Sequence, residues 1–430
     1  MGKRANGLIK NVWLLMGMTL VSAGFLEGGV SLAFLLLDQL SGSDAKAVDQ
    51  RVAADTYSDR SWVNSYYREF RRSRGLQWTP YVYWRQRPYS GDHINIDAQG
   101  IRLTTNTGWG QEATESPVKI FMFGGSTLWG TGARDAYTIP SLLAKELRRK
   151  GIISEVTNFG ETAYVSTQEI IALILRLQRG DVPDLVIFYD GVNDIMAAYQ
   201  QHTAGLPQNE SNRVREFNLS KPDQLKPRAA MVARDVVAQL STVRLLGNVL
   251  QLSQTPTGDD ETTENRPRAD KHRGGREFVD PEALAGEVFR TYIGNIGLVK
   301  ALSDNYQFSA FFYWQPTIFD KPHLTQYERS QRDKMRAAEP FVRRTYALMR
   351  QARLPAEYKN SFVDLSGIFS KVSEPIYLDW SHPGELGNEM IATRMANDIL
   401  GAITANKPSR KPKEPDETTS RRLVFAGTPQ

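Results

Sequence analysis

The chain of 430 residues has no cysteine and only five histidines. The first absence excludes disulfides, thiolate metal sites and cysteine nucleophiles, and removes any reading of the compartment from redox chemistry. The histidines, His93, His202, His272, His323 and His382, are scattered with no helical pair among them, so no metal site is expected. Charge of one sign is scarce as well. The 53 basic and 48 acidic residues leave a net +5, modest for this length, and no zinc finger, RNP or KH signature accompanies it, so nucleic acid is not an expected partner. There is no internal repeat, and 430 residues suffice for one large domain or two smaller ones.

What is present begins with an apolar segment at residues 12–37, interrupted by Glu27, Gly28 and Gly29 and preceded by Lys3, Arg4 and Lys10. About 20 apolar residues span a bilayer, and a basic flank keeps the N-terminus in the cytoplasm. The reading is a single-pass anchor at 12–37 behind a basic cytoplasmic stretch at 1–11, with everything after Asp38 exported to the periplasmic or extracytoplasmic side. A cleaved signal peptide ending near Val21–Ala23 and a buried core helix compete with it. The apolar run resumes at 30–37, which favours the uncleaved anchor. Glu27 is costly in lipid and marks either a contact with a partner membrane protein or a position that reaches interfacial water.

The chemistry centres on residues 118–132, VKIFMFGGSTLWGTG. An apolar, β-type run ends in two glycines and Ser126, so a buried strand delivers a hydroxyl to its C-terminal edge, where open α/β sheets bind ligands. A serine there commonly only caps the next helix. Two later stretches shift the balance. Asn193 follows the apolar strand at 185–189, and Asp379 and His382 lie three apart in LDWSHPGELG. A hydroxyl, an amide donor and an imidazole with its own carboxylate are the parts needed for acyl transfer through a serine.

The ordered blocks FGGST, NFG, GVND and DWSH resemble those of the SGNH (GDSL-type) esterases and acyltransferases, over roughly residues 119–400. The resemblance implies a three-layer α/β/α sandwich with a central parallel sheet of flavodoxin-like order. It implies Ser126 as nucleophile, His382 as base and then acid, and Asp379 as the carboxylate that orients it, with no cofactor. It assigns the oxyanion hole to the Ser126 backbone N–H, the Asn193 side-chain amide and a backbone N–H of the second block. For that last donor Ala163 stands where the family has glycine. It serves if its φ is negative; otherwise Gly160 or a shifted loop must. The first block has Gly125 where the family's name motif has aspartate, a form shared by related membrane-linked members. The usual nucleophile elbow is absent, since Leu128 occupies its second glycine position.

Around these blocks, residues 38–117 read as a polar linker and then an aromatic and arginine-rich segment, which includes Tyr66, Tyr67, Phe70, Trp78, Tyr81, Tyr83, Trp84, Arg85 and Arg87. Such a mixture suits an acidic glycan or lipid headgroups. It suits equally a precursor that packs its aromatics on the catalytic domain and leaves its arginines in solvent, the favoured reading. Residues 118–402 form the catalytic domain, with crossover helices at 138–150 and 167–178 and later helices at 229–252, 281–302, 338–350 and 385–400. Residues 255–276 and the tail at 403–430 are too poor in apolar residues to fold. The expected function is hydrolysis of O-acyl, chiefly O-acetyl, esters of a cell-envelope or secreted polysaccharide. An O-acyltransferase with the same residues and a non-catalytic membrane-anchored subunit of an envelope assembly are the alternatives.

Overall fold

The computed structural model describes residues 49–107 (except 59), 116–219, 280–351, 358 and 361–405, with scattered positions between 13 and 32. The helix expected at 229–252, the loop at 255–276 and most of the anchor at 12–37 lie outside the described residues, as does the tail expected at 403–430 except for 403–405, which instead continue the last helix with Ile403 buried. Two compact units emerge, residues 1–49 with 209–278, and residues 50–208 with 279–430. Described residues of the first are helical, at positions between 13 and 32 and in Glu210–Leu219. Among the described residues no helix is long and apolar enough to cross a membrane.

The second unit is built on a five-stranded parallel sheet. In chain order the chain forms helix α1 (Val63–Ser73), strands β1 (Leu76–Thr79), β2 (Tyr83–Gln86), β3 (Tyr89–Ser90), β4 (Asn95–Ile96) and β5 (Val118–Gly124), and the one-turn helix α2 (Ser126–Trp129). There follow α3 (Ile139–Arg149), β6 (Ser154–Asn158), α4 (Ser166–Leu177), β7 (Leu185–Asp190) and α5 (Val192–Gln201). Then come α6 (Pro281–Tyr306), β8 (Ser309–Trp314), α7 (Gln326–Lys334), α8 (Glu339–Gln351), β9 (Phe362–Asp364) and α9 (Glu385–Ala405). The main sheet runs β6-β5-β7-β8-β9, all parallel. That is the flavodoxin-like order, and its reversal point lies at β5 and β7, whose C-terminal ends carry Ser126 and Asn193.

The strands read as apolar runs because both faces are covered; every residue of β7 is buried. Right-handed crossovers put α3 on one face, where α9 packs against it, and α4 on the other with α5, α6 and α8. Helix α3 begins where expected, with Thr138 accepting from Ser141 N–H and Pro140 in the first turn.

A second core cluster explains the aromatic segment. Tyr57, Val63, Tyr66, Tyr67, Phe70, Ile94 and Ile96 bury themselves against Trp129 of α2 and Leu378, next to Asp379. Arg68, Arg72, Arg74 and Arg87 are exposed as expected, but Arg85 and Arg102 depart from the expectation of solvent. Arg102 is 1% exposed, donating to Asp135 Oδ1 at 2.9 Å and to the carbonyls of Trp129, Gly130 and Ala133. Arg85 is also buried and faces the Glu161 carboxylate at 3.4 Å. In each case a partner carboxylate compensates the buried cation, which a sequence pattern alone does not display.

Candidate active site

Strand β5 ends at Gly124, and the chain turns at Gly125 into α2 with Ser126 as its first residue. The first N–H groups of a helix have no intrahelical acceptor, so the Ser126 N–H is presented beside its own hydroxyl. Ser126 Oγ lies 2.7 Å from His382 Nε2. The other ring nitrogen, Nδ1, lies 2.7 Å from Asp379 Oδ2 and 2.9 Å from Oδ1. Asp379 Oδ1 also accepts from the backbone N–H groups of Ser381 (3.0 Å) and His382 (2.9 Å). The carboxylate thereby folds its own loop as well as orienting the imidazole. Burial acts to raise the Asp379 carboxyl, but the charge and hydrogen bond of His382, with the nearby Arg51 guanidinium, outweigh it and hold the group well below the usual carboxylate range.

Asn193 lies in the first turn of α5, after Gly191, whose φ of +127° swings the chain out of β7. Its Nδ2 donates to the Tyr164 carbonyl at 2.8 Å, which fixes the amide and leaves its second N–H for another acceptor. A Cβ at position 125 would lie 2.1 Å from Asn193 Nδ2. The aspartate of the family's name motif therefore has no room here. Gly125 leaves that space to the amide.

The loop after β6 is held under this site by Glu161 N–H, which donates to the Gly124 carbonyl at 2.9 Å. Gly160 is ruled out as an oxyanion donor because its N–H is committed to Asn158 Oδ1 at 3.0 Å. Ala163 has a φ of +64°, so the condition of a negative φ is not met. The alanine holds the left-handed conformation for which glycine is the default, at a cost of about 1–2 kcal/mol. Ala163 is half-buried, and its N–H makes no hydrogen bond among the described residues. The negative-φ condition set for Ala163 therefore fails, while its unengaged N–H leaves it a candidate for the second-block donor. Ser126, Ala163, Asn193, Asp379 and His382 are all partly accessible in a largely buried setting.

Several supporting residues escape a reading of sequence blocks. Glu328, wholly buried, accepts from the N–H groups of Ile376 and Tyr377 and from Lys321 Nζ at 2.8 Å, while Tyr327 OH donates to the Leu378 carbonyl. These contacts fix the strand of chain that leads to Asp379. The capping box Thr325–Glu328 was the available signal. Tyr57 OH donates to the Gly132 carbonyl and accepts from Glu385 N–H, tying the serine loop to the histidine loop.

No family model matches the chain, and no curated protein matches it. Among solved structures, it is similar to the acetyl xylan esterase AlAXEase at 14% identity, covering 66% of this chain and 100% of that one, with a TM-score of 0.32. The acetylxylan esterase Axe2 of Geobacillus stearothermophilus is similar at 14% identity over 66% of this chain and 94% of that one, with a TM-score of 0.33. A putative lipolytic protein of the G-D-S-L family from Desulfitobacterium hafniense DCB-2 gives 10%, 65%, 99% and 0.30 in the same order. At such scores neither fold nor activity is assigned by the likeness.

Proposed function

We propose that the chain is an SGNH-type serine esterase that releases O-acyl groups, chiefly O-acetyl, from a polysaccharide. The observation that carries the reading is the continuous line from Ser126 Oγ through both nitrogens of His382 to Asp379. In the reaction, Ser126 Oγ attacks the ester carbonyl carbon as His382 Nε2 takes its proton. The negative charge gathers on the carbonyl oxygen, facing the N–H groups of Ser126 and Ala163 and the free amide proton of Asn193. Collapse breaks the bond to the sugar oxygen, which leaves with the proton from Nε2, and an acyl-serine remains. Water then attacks the acyl carbon, giving its proton to Nε2, and Ser126 recovers that proton as the carboxylic acid departs. Asp379 stays ionised throughout, holding the imidazole.

A glycan substrate is supported by the aromatic and arginine-rich composition of residues 62–102. Attachment to a membrane with the catalytic unit exported is supported by the composition of residues 12–37; within it, Trp13, Met18, Val21, Leu26 and Leu32 are each more than half exposed. The test offers p-nitrophenyl acetate and acetylated xylan to the full-length chain and to Ser126→Ala, following acetate release and acetyl transfer to added oligosaccharide. Acetate release by the wild type alone supports the esterase. Transfer in excess of release would make it an acyltransferase, and equal inertness of both proteins would turn attention to the non-catalytic reading.

A further inference from the structure

Strands β1 and β2 form an antiparallel hairpin with Trp78 opposite Trp84 and Thr79 opposite Tyr83. It is fastened to the loop that carries Ala163. Trp84 Nε1 donates to the Thr162 carbonyl at 2.9 Å, Gln86 Nε2 to Thr162 Oγ1 at 3.3 Å, and Gln168 Nε2 to the Val82 carbonyl at 2.9 Å, while Tyr164 OH donates to the Trp84 carbonyl. Beside these contacts it shows large rings to solvent: Trp78 is 68% exposed and Tyr81 73%. A hairpin needed only for support has no use for a tryptophan and a tyrosine there, where apolar area in water is unfavourable.

Two features make these rings a built surface. The first is continuity. Ring centroids step from Trp78 to Tyr83 at 5.4 Å, from Tyr83 to Trp84 at 6.5 Å and from Trp84 to Tyr164 at 5.5 Å, and the Tyr164 carbonyl holds Asn193. The second is backbone strain. Tyr81 has φ +68° and Tyr83 φ +74°, conformations that bulky residues rarely adopt, here spent at the tip where the rings are displayed.

We propose that this hairpin is a sugar-stacking shelf that binds a pyranose ring of the glycan chain next to the acylated residue. The proposal rests on the esterase reading for the identity of the ligand. Trp and Tyr offer rigid, amphipathic faces: the flat ring covers the C–H face of a sugar, while the sugar's hydroxyls stay in water. Because the hairpin holds the Ala163 loop, a chain seated on the shelf lies next to the element that presents one of the oxyanion donors. The shelf would favour polymeric substrates over small esters.

The test uses full-length Ser126→Ala, which binds without turnover, and acetylated xylooligosaccharide as probe in a calorimetric titration. Trp78→Ala and Tyr81→Gly are added singly; the second relieves the strained φ, so loss of fold cannot explain its effect. Each is expected to weaken binding about five- to tenfold. Added to the wild type, they are expected to lower kcat/KM for the oligosaccharide relative to p-nitrophenyl acetate by a similar factor, through KM. Undiminished oligosaccharide binding in both variants, or none in the Ser126→Ala parent, overturns the shelf. So does loss of binding to phosphatidylglycerol vesicles with oligosaccharide binding intact, which would make the rings a lipid contact. Failure of the esterase reading has a separate signature: no acetate released from any ester, whatever the variants do to binding.

Discussion

Position 125 sets how near an amide can come to the serine. With Asn193 Nδ2 only 2.1 Å from where a Cβ would stand, any side chain must push the amide away. Gly125→Ala is expected to lower kcat by about 100-fold or more, the usual effect of losing one oxyanion donor, with little change in KM; steady-state kinetics on p-nitrophenyl acetate measure it. The converse holds at Ala163, where the side chain is tolerated at the expense of a left-handed φ. Ala163→Gly is expected to raise stability by about 0.5–1 kcal/mol, the relieved strain less the greater backbone entropy of glycine, read as a higher midpoint in denaturant.

Among the elements, the segment before β5 holds the serine loop in place through Arg102. Arg102 takes up carbonyls at the C-terminal end of α2, where a helix end favours a cation, and pairs with the buried Asp135. Arg102→Met leaves Asp135 without its cation and is expected to cost about 3–5 kcal/mol, seen in thermal unfolding. How far this was legible in the sequence follows from the interactions involved. The apolar runs of β5 and β7 and the blocks around Ser126, Asn193 and His382 announce themselves, because burial and short-range chemistry write local patterns. Pairings such as Arg102 with Asp135, Arg85 with Glu161 and Glu328 with the N–H groups of Ile376 and Tyr377 join residues 33 to 76 positions apart, and no local pattern records them. The exclusion of Gly160 and the left-handed Ala163 needed backbone geometry in the same way.

At the scale of the whole molecule, Glu169, Asp190 and Asp194 are buried in the second unit. Burial pushes the Asp190 carboxyl up to about 8, with the Asp194 charge adding to it against hydrogen bonds from Glu169 and Tyr292. Burial and then the Asp190 charge raise Glu169 too. A folded-state pKa above the unfolded one means that the folded protein keeps a proton the unfolded chain releases. Between about pH 4, the ordinary aspartate range, and pH 8, stability should therefore fall as pH rises. Asp190→Asn is expected to flatten that slope in unfolding measured across this window; an unchanged slope would place the titrating group elsewhere.

In the proposed mechanism Ser126 carries the acyl group. The most direct measurement is mass spectrometry of the full-length chain quenched in acid during turnover of p-nitrophenyl acetate. One acetyl group is expected on the peptide containing Ser126, absent in Ser126→Ala and accumulating where deacylation is slow. Acetate release that continues in Ser126→Ala at the wild-type rate, with no acetylated peptide in either protein, would contradict it.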